Sequence, residues 1–418
     1  MLLSTLIFAA AIALIASERV DRTKVALLGA GAVVVLGTID QHDAIEAIEF
    51  EALGLLAGMM IAVRLLEVTG VFAYVALRAA RLSGGNPFAL VVLLALATGG
   101  LSAFLDNLTT VLLVVPVTFL IADALDLDPK PLVIMEVLAS NIGGTATLIG
   151  DPPNIMIAGA TGLSFNAFIV NLAPIAVLTL VVVTGVLYFA QRRSFAIPPE
   201  VRKRVLDFDA PRSLTDKDEL RRLGPVFVLI VLAFFVHRPL GLEPATVALA
   251  GASVMLALSR QKLDDVMRGV DWPTLFFFIG LFVMVGAMEH TGAIGELAEL
   301  LVSVTGGDRT AELIGITWIA GIVGGVVDNI PLTAAMIPVV EEVTADGGDE
   351  AYWWALAIGA CFGGNLTIVA AAANVAASGM AARAGSPIGF VQFLKVGVPA
   401  TLLSLVLATA YILLRWVN

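Results

Sequence analysis

Residues 97–120 read ATGGLSAFLDNLTTVLLVVPVTFL, an apolar run with Ser102, Asp106, Asn107, Thr109 and Thr110 at its centre, Gly99 and Gly100 before them and Pro116 after. A carboxylate at the middle of a membrane helix costs about 2.5–3.5 kcal/mol on insertion scales, so it persists where it faces protein interior or a wet cavity and has a task there. The run has an echo 222 residues on: AGIVGGVVDNIPLTAAMIPVVEE places Asp328, Asn329 and Pro338 where Asp106, Asn107 and Pro116 stood. Two polar breaks in matching membrane segments are the pattern of two half-sites in a transporter built from repeats.

Composition limits the setting. Of 418 residues, 59% are hydrophobic and only 14% charged, with a mean hydropathy of +0.97, which excludes an ordinary soluble protein and indicates an all-α polytopic membrane protein in a lipid bilayer. A net charge of −11 gives no reason to expect nucleic acid. Cys361 is the only cysteine, so neither an intrachain disulfide nor a cysteine metal site is expected, and no metal or cofactor is indicated. No Gly-Lys-Thr phosphate loop occurs, so the chain carries no ATPase site of its own. Residues 2–16 lack a basic leader and a cleavage site and read as a first span.

Apolar segments fall at 2–16, 24–38, 52–77, 88–105 with 108–122, 131–158 and 169–190, and again at 224–236, 244–259, 272–290, 311–327 with 330–340, 352–380 and 391–415. With a shift of 222, Ala26 matches Ala248, Gly58 matches Gly280, Glu67 matches Glu289, and Gly84-Gly85 match Gly306-Gly307. The shift becomes 220 for Gly143, Gly144, Thr147 and Asn154 against Gly363, Gly364, Thr367 and Asn374, then 225 for Phe165, Phe168 and Pro174 against Phe390, Phe393 and Pro399. Residues 1–190 therefore form a first repeat, with scaffold helices over 2–77, a hairpin at 88–122, a broken helix at 131–158 and a helix at 169–190. Residues 191–223 are a linker, and 224–418 form the second repeat, with scaffold helices over 224–290, a hairpin at 311–340, a broken helix at 352–380 and a helix at 391–415.

The linker holds Arg192, Arg193, Arg202, Lys203, Arg204, Arg212, Lys217, Arg221 and Arg222, which assigns it to the cytoplasm. Reading each hairpin as re-entrant leaves five crossings per repeat. Basic loops such as Arg19/Arg22/Lys24 and Arg260/Lys262/Arg268 then face inward, the Lys- and Arg-free loops 39–50 and 159–168 and the acidic segment 341–351 face outward, and both termini lie outside. An odd number of crossings makes the second repeat inverted.

Four elements are expected to converge: the hairpin tips Asp106-Asn107 with Thr109 and Asp328-Asn329 with Thr333, and the breaks holding Thr147, Asp151 and Asn154 or Asn365, Thr367 and Asn374. Proline and paired glycines destabilise a helix, and backbone freed at membrane depth has to be buried or face a cavity, where it serves as ligand for a polar solute or ion. Read structurally, the same breaks are kinks that aid packing. Asp106, Asp151 and Asp328 are the candidates for proton coupling, with sodium coupling as the alternative. Arg64 and Glu67, three apart on one helix, read as an ion pair. Glu136 reads as interfacial, Glu289-His290 as lying near the outer water layer with a proton relay as the alternative, and Cys361 as a small packing residue.

The stretches FLDNLTTVLLVVPV at 104–117 and SNIGGTATLIGDPPNIMI at 140–157 resemble the ion-transporter superfamily, which includes arsenite permeases, certain sodium/proton antiporters, the melanosomal P protein, silicon effluxers and dicarboxylate carriers. They are most similar to the arsenite-permease and P-protein branch, with its citrate-transporter-like domain. The resemblance implies an inverted-repeat fold, a scaffold and a mobile transport domain working in elevator fashion, a homodimer, and solute held between hairpin tips and broken spans. It nominates Asp106, Asn107, Thr109, Asp151, Asn154, Asp328, Asn329, Asn365, Thr367 and Asn374. The Ser-Asn-Thr tip motif of the dicarboxylate carriers is replaced here by Asp106-Asn107-Leu108 and Asp328-Asn329-Ile330. The expected function is secondary active, proton-coupled efflux of a small inorganic solute, arsenite or antimonite, across the cell membrane. A sodium/proton antiporter and an anion or dicarboxylate carrier are the alternatives within the superfamily. An ion channel and an intramembrane aspartate protease are rivals from other classes, and an association with an arsenite-pump ATPase stays open. The site as nominated contains three aspartates and no Lys or Arg, which argues against a di- or tricarboxylate.

Overall fold

The computed structural model describes residues 1–17, 19–345 and 349–417; Asp346, in the acidic outward segment, lies outside them. The described residues are helical with no strand. Helices 107–124, 165–190, 272–290, 309–327 and 390–417 are each long and apolar enough to cross a membrane, while pieces flanking the breaks, such as Ala351–Gly363, are too short to count singly.

The helix order of the first half recurs in the second. Arg22–Val35, Gln41–Glu46, Phe50–Glu67, Val71–Leu82, Pro87–Ser102 and Asn107–Ala124 are answered by Pro244–Leu258, Leu263–Arg268, Trp272–His290, Ala293–Thr305, Arg309–Val327 and Asn329–Thr344. The broken spans follow, Pro129–Gly144 with Pro152–Thr161 and Ala351–Gly363 with Ala372–Arg383, and then Phe165–Ala190 and Phe390–Ile412.

Two readings of the sequence need correction. The segment 52–77 is not one continuous helix: the chain bends by 66° between Glu67 and Val71, where Gly70 takes φ +75°, a left-handed conformation that suits glycine. The linker ends earlier than residue 223, because Asp216 accepts from the Glu219 backbone N–H and starts the helix Lys217–Val236. Pro116 and Pro338, which follow the polar steps, lie inside the helices 107–124 and 329–344.

The halves exchange partners. Helix 22–35 lies parallel to 272–290, with Thr23 Oγ1 donating to Pro273 O at 2.9 Å and Gly29 against Met284; helix 50–67 lies on 244–258. Both contacts are closed by glycine: a Cβ on Gly280 would come within 2.6 Å of the Ala26 backbone, and one on Gly58 within 2.7 Å of Ala248. The equivalent helices 50–67 and 272–290 run in opposite directions, since Ala47 packs on Gly286 at one end and Arg64 on Gly269 at the other. The return arm of the first hairpin, 107–124, packs on 372–383 of the other repeat, and 329–344 packs on 152–161. The linker lies across the bend, where Thr215 N donates to Thr69 O at 3.0 Å.

Candidate functional site

Each break owes its shape to asparagine. Asn154 Nδ2 donates to the carbonyls of Thr145 (3.2 Å) and Thr147 (2.8 Å), while Asn374 Nδ2 donates to those of Gly364 and Thr367, both at 2.7 Å. Carbonyls that the lost helix would have satisfied thus find donors within the same break. Thr147 Oγ1 in turn donates to Ala103 O of the first hairpin, and Thr367 Oγ1 to Gly325 O of the second at 2.8 Å. These four residues brace the breaks and hairpins. Thr333 donates to Asn329 O of its own helix, so none of the five lines the cavity described next.

Four helix N-termini converge at the centre of the molecule, at Asp106, Asp151, Asp328 and Ala371. Their dipoles and unpaired N–H groups give the region positive potential that offsets the aspartates. Asp106 accepts from the Thr109 backbone N–H at 2.8 Å and from its hydroxyl at 2.5 Å, and Asp328 accepts from Ile330 N at 3.0 Å. A cavity of about 180 Å³ opens between these ends, lined among others by Asp106, Asn107, Thr109, Asp151, Asn329 and Ala371. Asn107 Nδ2 reaches Asp151 Oδ1 at 3.2 Å and Asn141 Oδ1 at 3.1 Å. Asp151 Oδ2, Asn329 Nδ2 and Asn365 Nδ2 are buried and no well-formed hydrogen bond reaches them, although the Asn329 amide and the Cys361 thiol lie beside the Asp151 carboxylate. Buried polar atoms of this kind cost about 1–3 kcal/mol each unless something satisfies them.

The sequence reading did not single out several residues at this centre. Asn141, fully buried, donates to Asn365 Oδ1 and Asn374 Oδ1, each at 3.0 Å, and binds the two breaks together. Its signal was a lone amide in an apolar helix, in register with Cys361, whose Sγ approaches Asn154 Oδ1 at 3.5 Å. Arg22, assigned above to a cytoplasmic loop, lines the cavity and stands 3.6 Å from Asp328 Oδ2. The charge argument against carboxylates therefore loses its premise. Asp271, which caps helix 272–290, and Thr274, which donates to it, also line the cavity, as do Arg64 and Glu67, paired at 2.6 Å as expected. Glu136, read as interfacial, is buried within the protein: it is 1% exposed, takes a 2.6 Å hydrogen bond from Thr118, and leaves its second oxygen unpartnered. Cys361 is buried and packs beside the first break. His290 lies exposed, 3.4 Å from Asp43.

A sequence model of the family described as Citrate transporter matches residues 12–359. The chain belongs to that family. Two relatives of this citrate transporter family span nearly the whole chain: an uncharacterized transporter of Mycobacterium tuberculosis is 43% identical over 420 residues (98% of this chain, 97% of that protein), and the 46 kDa membrane protein of Mycobacterium leprae 41% over 418 (98% and 97%). The human P protein is 33% identical over 502 residues, covering 99% of this chain and 60% of that protein, and the resemblance to the ion-transporter superfamily is thereby borne out. The YdaH transporter of Alcanivorax borkumensis, whose crystal structure shows an unusual topology, has a TM-score of 0.61 at 16% identity over 88% of this chain and 86% of that one, a likeness of fold. The protein is a multi-pass membrane transporter.

Proposed function

We propose that the protein is a secondary active transporter of the cell membrane, exchanging a small hydroxyl-bearing solute for protons by alternating access, with arsenious or antimonious acid leaving the cell. The observation that carries this reading is the convergence of four helix N-termini, two from hairpin tips and two from span breaks, on one cavity lined by the carboxylates of Asp106 and Asp151 and the amides of Asn107 and Asn329. A neutral trihydroxy solute donates to Asp106 and Asp151 and accepts from Asn107 and Asn329. Asp106, Asp151 and Asp328 exchange a proton as the solute comes and goes. Equivalent helices running in opposite directions support an inverted repeat, in which the site opens to either face in turn. The linker faces the cytoplasm, both termini face outside, and two chains form a homodimer, checked by the mass of the purified particle.

Complementation tests the solute. Expressed in bacteria lacking their arsenite pumps, the chain restores arsenite resistance, and Asp106→Asn or Asp328→Asn abolishes it. Growth rescued only on high sodium, in a strain lacking sodium/proton antiporters, would replace this reading. A second reading, a carboxylate carrier, is favoured by Arg22 at the cavity and by the description of the family. Citrate uptake into proteoliposomes, unaffected by arsenite, would decide for it.

A further inference from the structure

Arg22 is fixed from the scaffold side. It begins helix 22–35, its Nη2 donates to Thr274 Oγ1 at 3.1 Å, and its guanidinium lies 5.0 Å over the Phe277 ring, both partners being on helix 272–290. Thr274 is held in turn by Asp271, whose Oδ2 accepts from its hydroxyl at 2.6 Å. The remaining partner belongs to the other body: Nη1 stands 3.6 Å from Asp328 Oδ2 at the tip of the second hairpin. Arg64–Glu67, by contrast, lies within one helix, and Arg204–Asp126 joins the linker to the base of the first hairpin. At 3.6 Å the attraction is one of charge rather than of hydrogen bonding, so it depends on Asp328 being ionised.

The pair also occupies a partition. Arg22, Leu108 and Ala372 line the 180 Å³ cavity on one side and, on the other, a second cavity of about 470 Å³ bounded by Val20, Asp21, Val327, Asp328 and Val375. Asp328 holds φ +141°, a conformation that non-glycine residues rarely adopt and that persists where its surroundings enforce it.

Resting on the alternating-access reading, we propose that Arg22 is a coupling residue of the transport cycle: its ion pair with Asp328 latches the second hairpin tip to helices 22–35 and 272–290, and a proton on Asp328 releases it. Asp21 from the turn before helix 22–35, Asp106 from the first tip, Asp151 from the first break and Asp271 behind Thr274 are carboxylates that repel an ionised Asp328, while Arg64 on the cavity wall is paired with Glu67. An unprotonated tip stays where it is, so tip movement and proton uptake go together. Arg22 acts through Asp328 and is a positioning residue, not a group that must touch the solute.

Two readouts on the full-length protein test the latch. In proteoliposomes, arsenite exchange rises as the pH falls, and Arg22→Gln moves the midpoint of that rise upward by about 1–3 pH units, the effect of removing one opposite charge at this distance; Arg22→Lys restores it. Separately, Val327→Cys in a Cys361→Ala background is labelled by a water-soluble maleimide in detergent, which requires no transport. Labelling accelerates at low pH with Arg22 present, and in Arg22→Gln the midpoint of that acceleration moves upward as the exchange midpoint does. An unchanged pH profile together with unchanged labelling in Arg22→Gln overturns the latch while leaving the transporter reading intact. Absent solute exchange with pH-gated labelling keeps the latch and overturns the transporter reading.

Discussion

Asn141 Nδ2 donates to Asn374 Oδ1 across 3.0 Å, a bond between residues 233 apart that joins the break of one repeat to the break of the other. The same amide serves Asn365 Oδ1 and Gly364 O, while Asn141 Oδ1 accepts from Asn107 at the first tip. One side chain therefore connects three of the four converging elements. Asn141→Leu strands these buried groups, each at a cost of about 1–3 kcal/mol. The expected outcome is a lower unfolding temperature in detergent and lost solute exchange; wild-type values for both would show that the bonds are dispensable.

Asp106→Asn separates capping from proton chemistry. Asparagine caps a helix about as well as aspartate, so the tip folds, but it carries no exchangeable proton. Solute exchange should become insensitive to an imposed pH gradient, read with a pH-sensitive dye inside proteoliposomes. Proton flux that stays coupled to solute would move the coupling to Asp151 or Asp328.

The glycines of the broken spans set how closely the hairpins approach. A Cβ on Gly143 would lie 2.3 Å from Gly99 Cα, and one on Gly363 would lie 2.5 Å from Gly321 O, the equivalent contact of the other half. Gly143→Ala and Gly363→Ala should each cost about 1–3 kcal/mol, as overpacking does, seen as earlier thermal unfolding. Gly100→Ala, which meets nothing within 4 Å, is the matched control.

At the membrane edge, Arg309 Nε donates to Asp349 Oδ2 at 2.5 Å. Burial alone would raise the Asp349 pKa, but the Arg309 hydrogen bond, the Ala351 N–H and the Arg309 charge outweigh it and hold the carboxyl below its ordinary 3.8. A depressed pKa in the folded state adds stability above the unfolded value, lost as the pH falls through the folded one. Unfolding followed from about pH 5 to about pH 3 should show a steeper loss for the wild type than for Arg309→Gln. Equal slopes would remove Asp349 from the acid response.

Orientation is read with an impermeant thiol reagent on whole cells, in a Cys361→Ala background. Ser213 is a poor reporter because its carbonyl packs against Gly70, so Lys217→Cys, exposed, takes the cytoplasmic role and His42→Cys the outer one. Labelling of position 42 and sparing of 217 is the expected pattern; the reverse would invert the protein in the membrane.

The duplication was legible because Gly, Pro, Asp and Asn tolerate few substitutes where helices stop, and their spacing survives where Ala and Leu drift. Helix caps were legible for the same reason: Asp106 and Asp328 start their helices as the Asp-Asn doublets imply. What stayed hidden was which polar groups face one another across the repeats. Thr147, Asn154, Thr367 and Asn374 belong to the right breaks but turn toward backbone carbonyls, a direction set by the local chain path. Arg22 lies far from Asp328 in sequence, and only packing of helix 22–35 on 272–290 brings it to the second tip. The bend at Glu67–Val71 was masked because an apolar run continues through it.

The two halves match closely but not fully, and the mismatches cluster at the centre: Asp151 answers to Ala371, Asn141 to Cys361, and Arg64 to Gly286. A carrier with identical halves would have two facing states of equal free energy and, when empty, would divide its time evenly between them. Each unmatched pair lifts that degeneracy, because a carboxylate, an amide or a guanidinium meets one environment in one state and another in its mirror state. Gradients alone decide which way net flux runs. Under the alternating-access proposal, the unmatched residues would decide where the empty carrier waits, and hence which side of the membrane is sampled first.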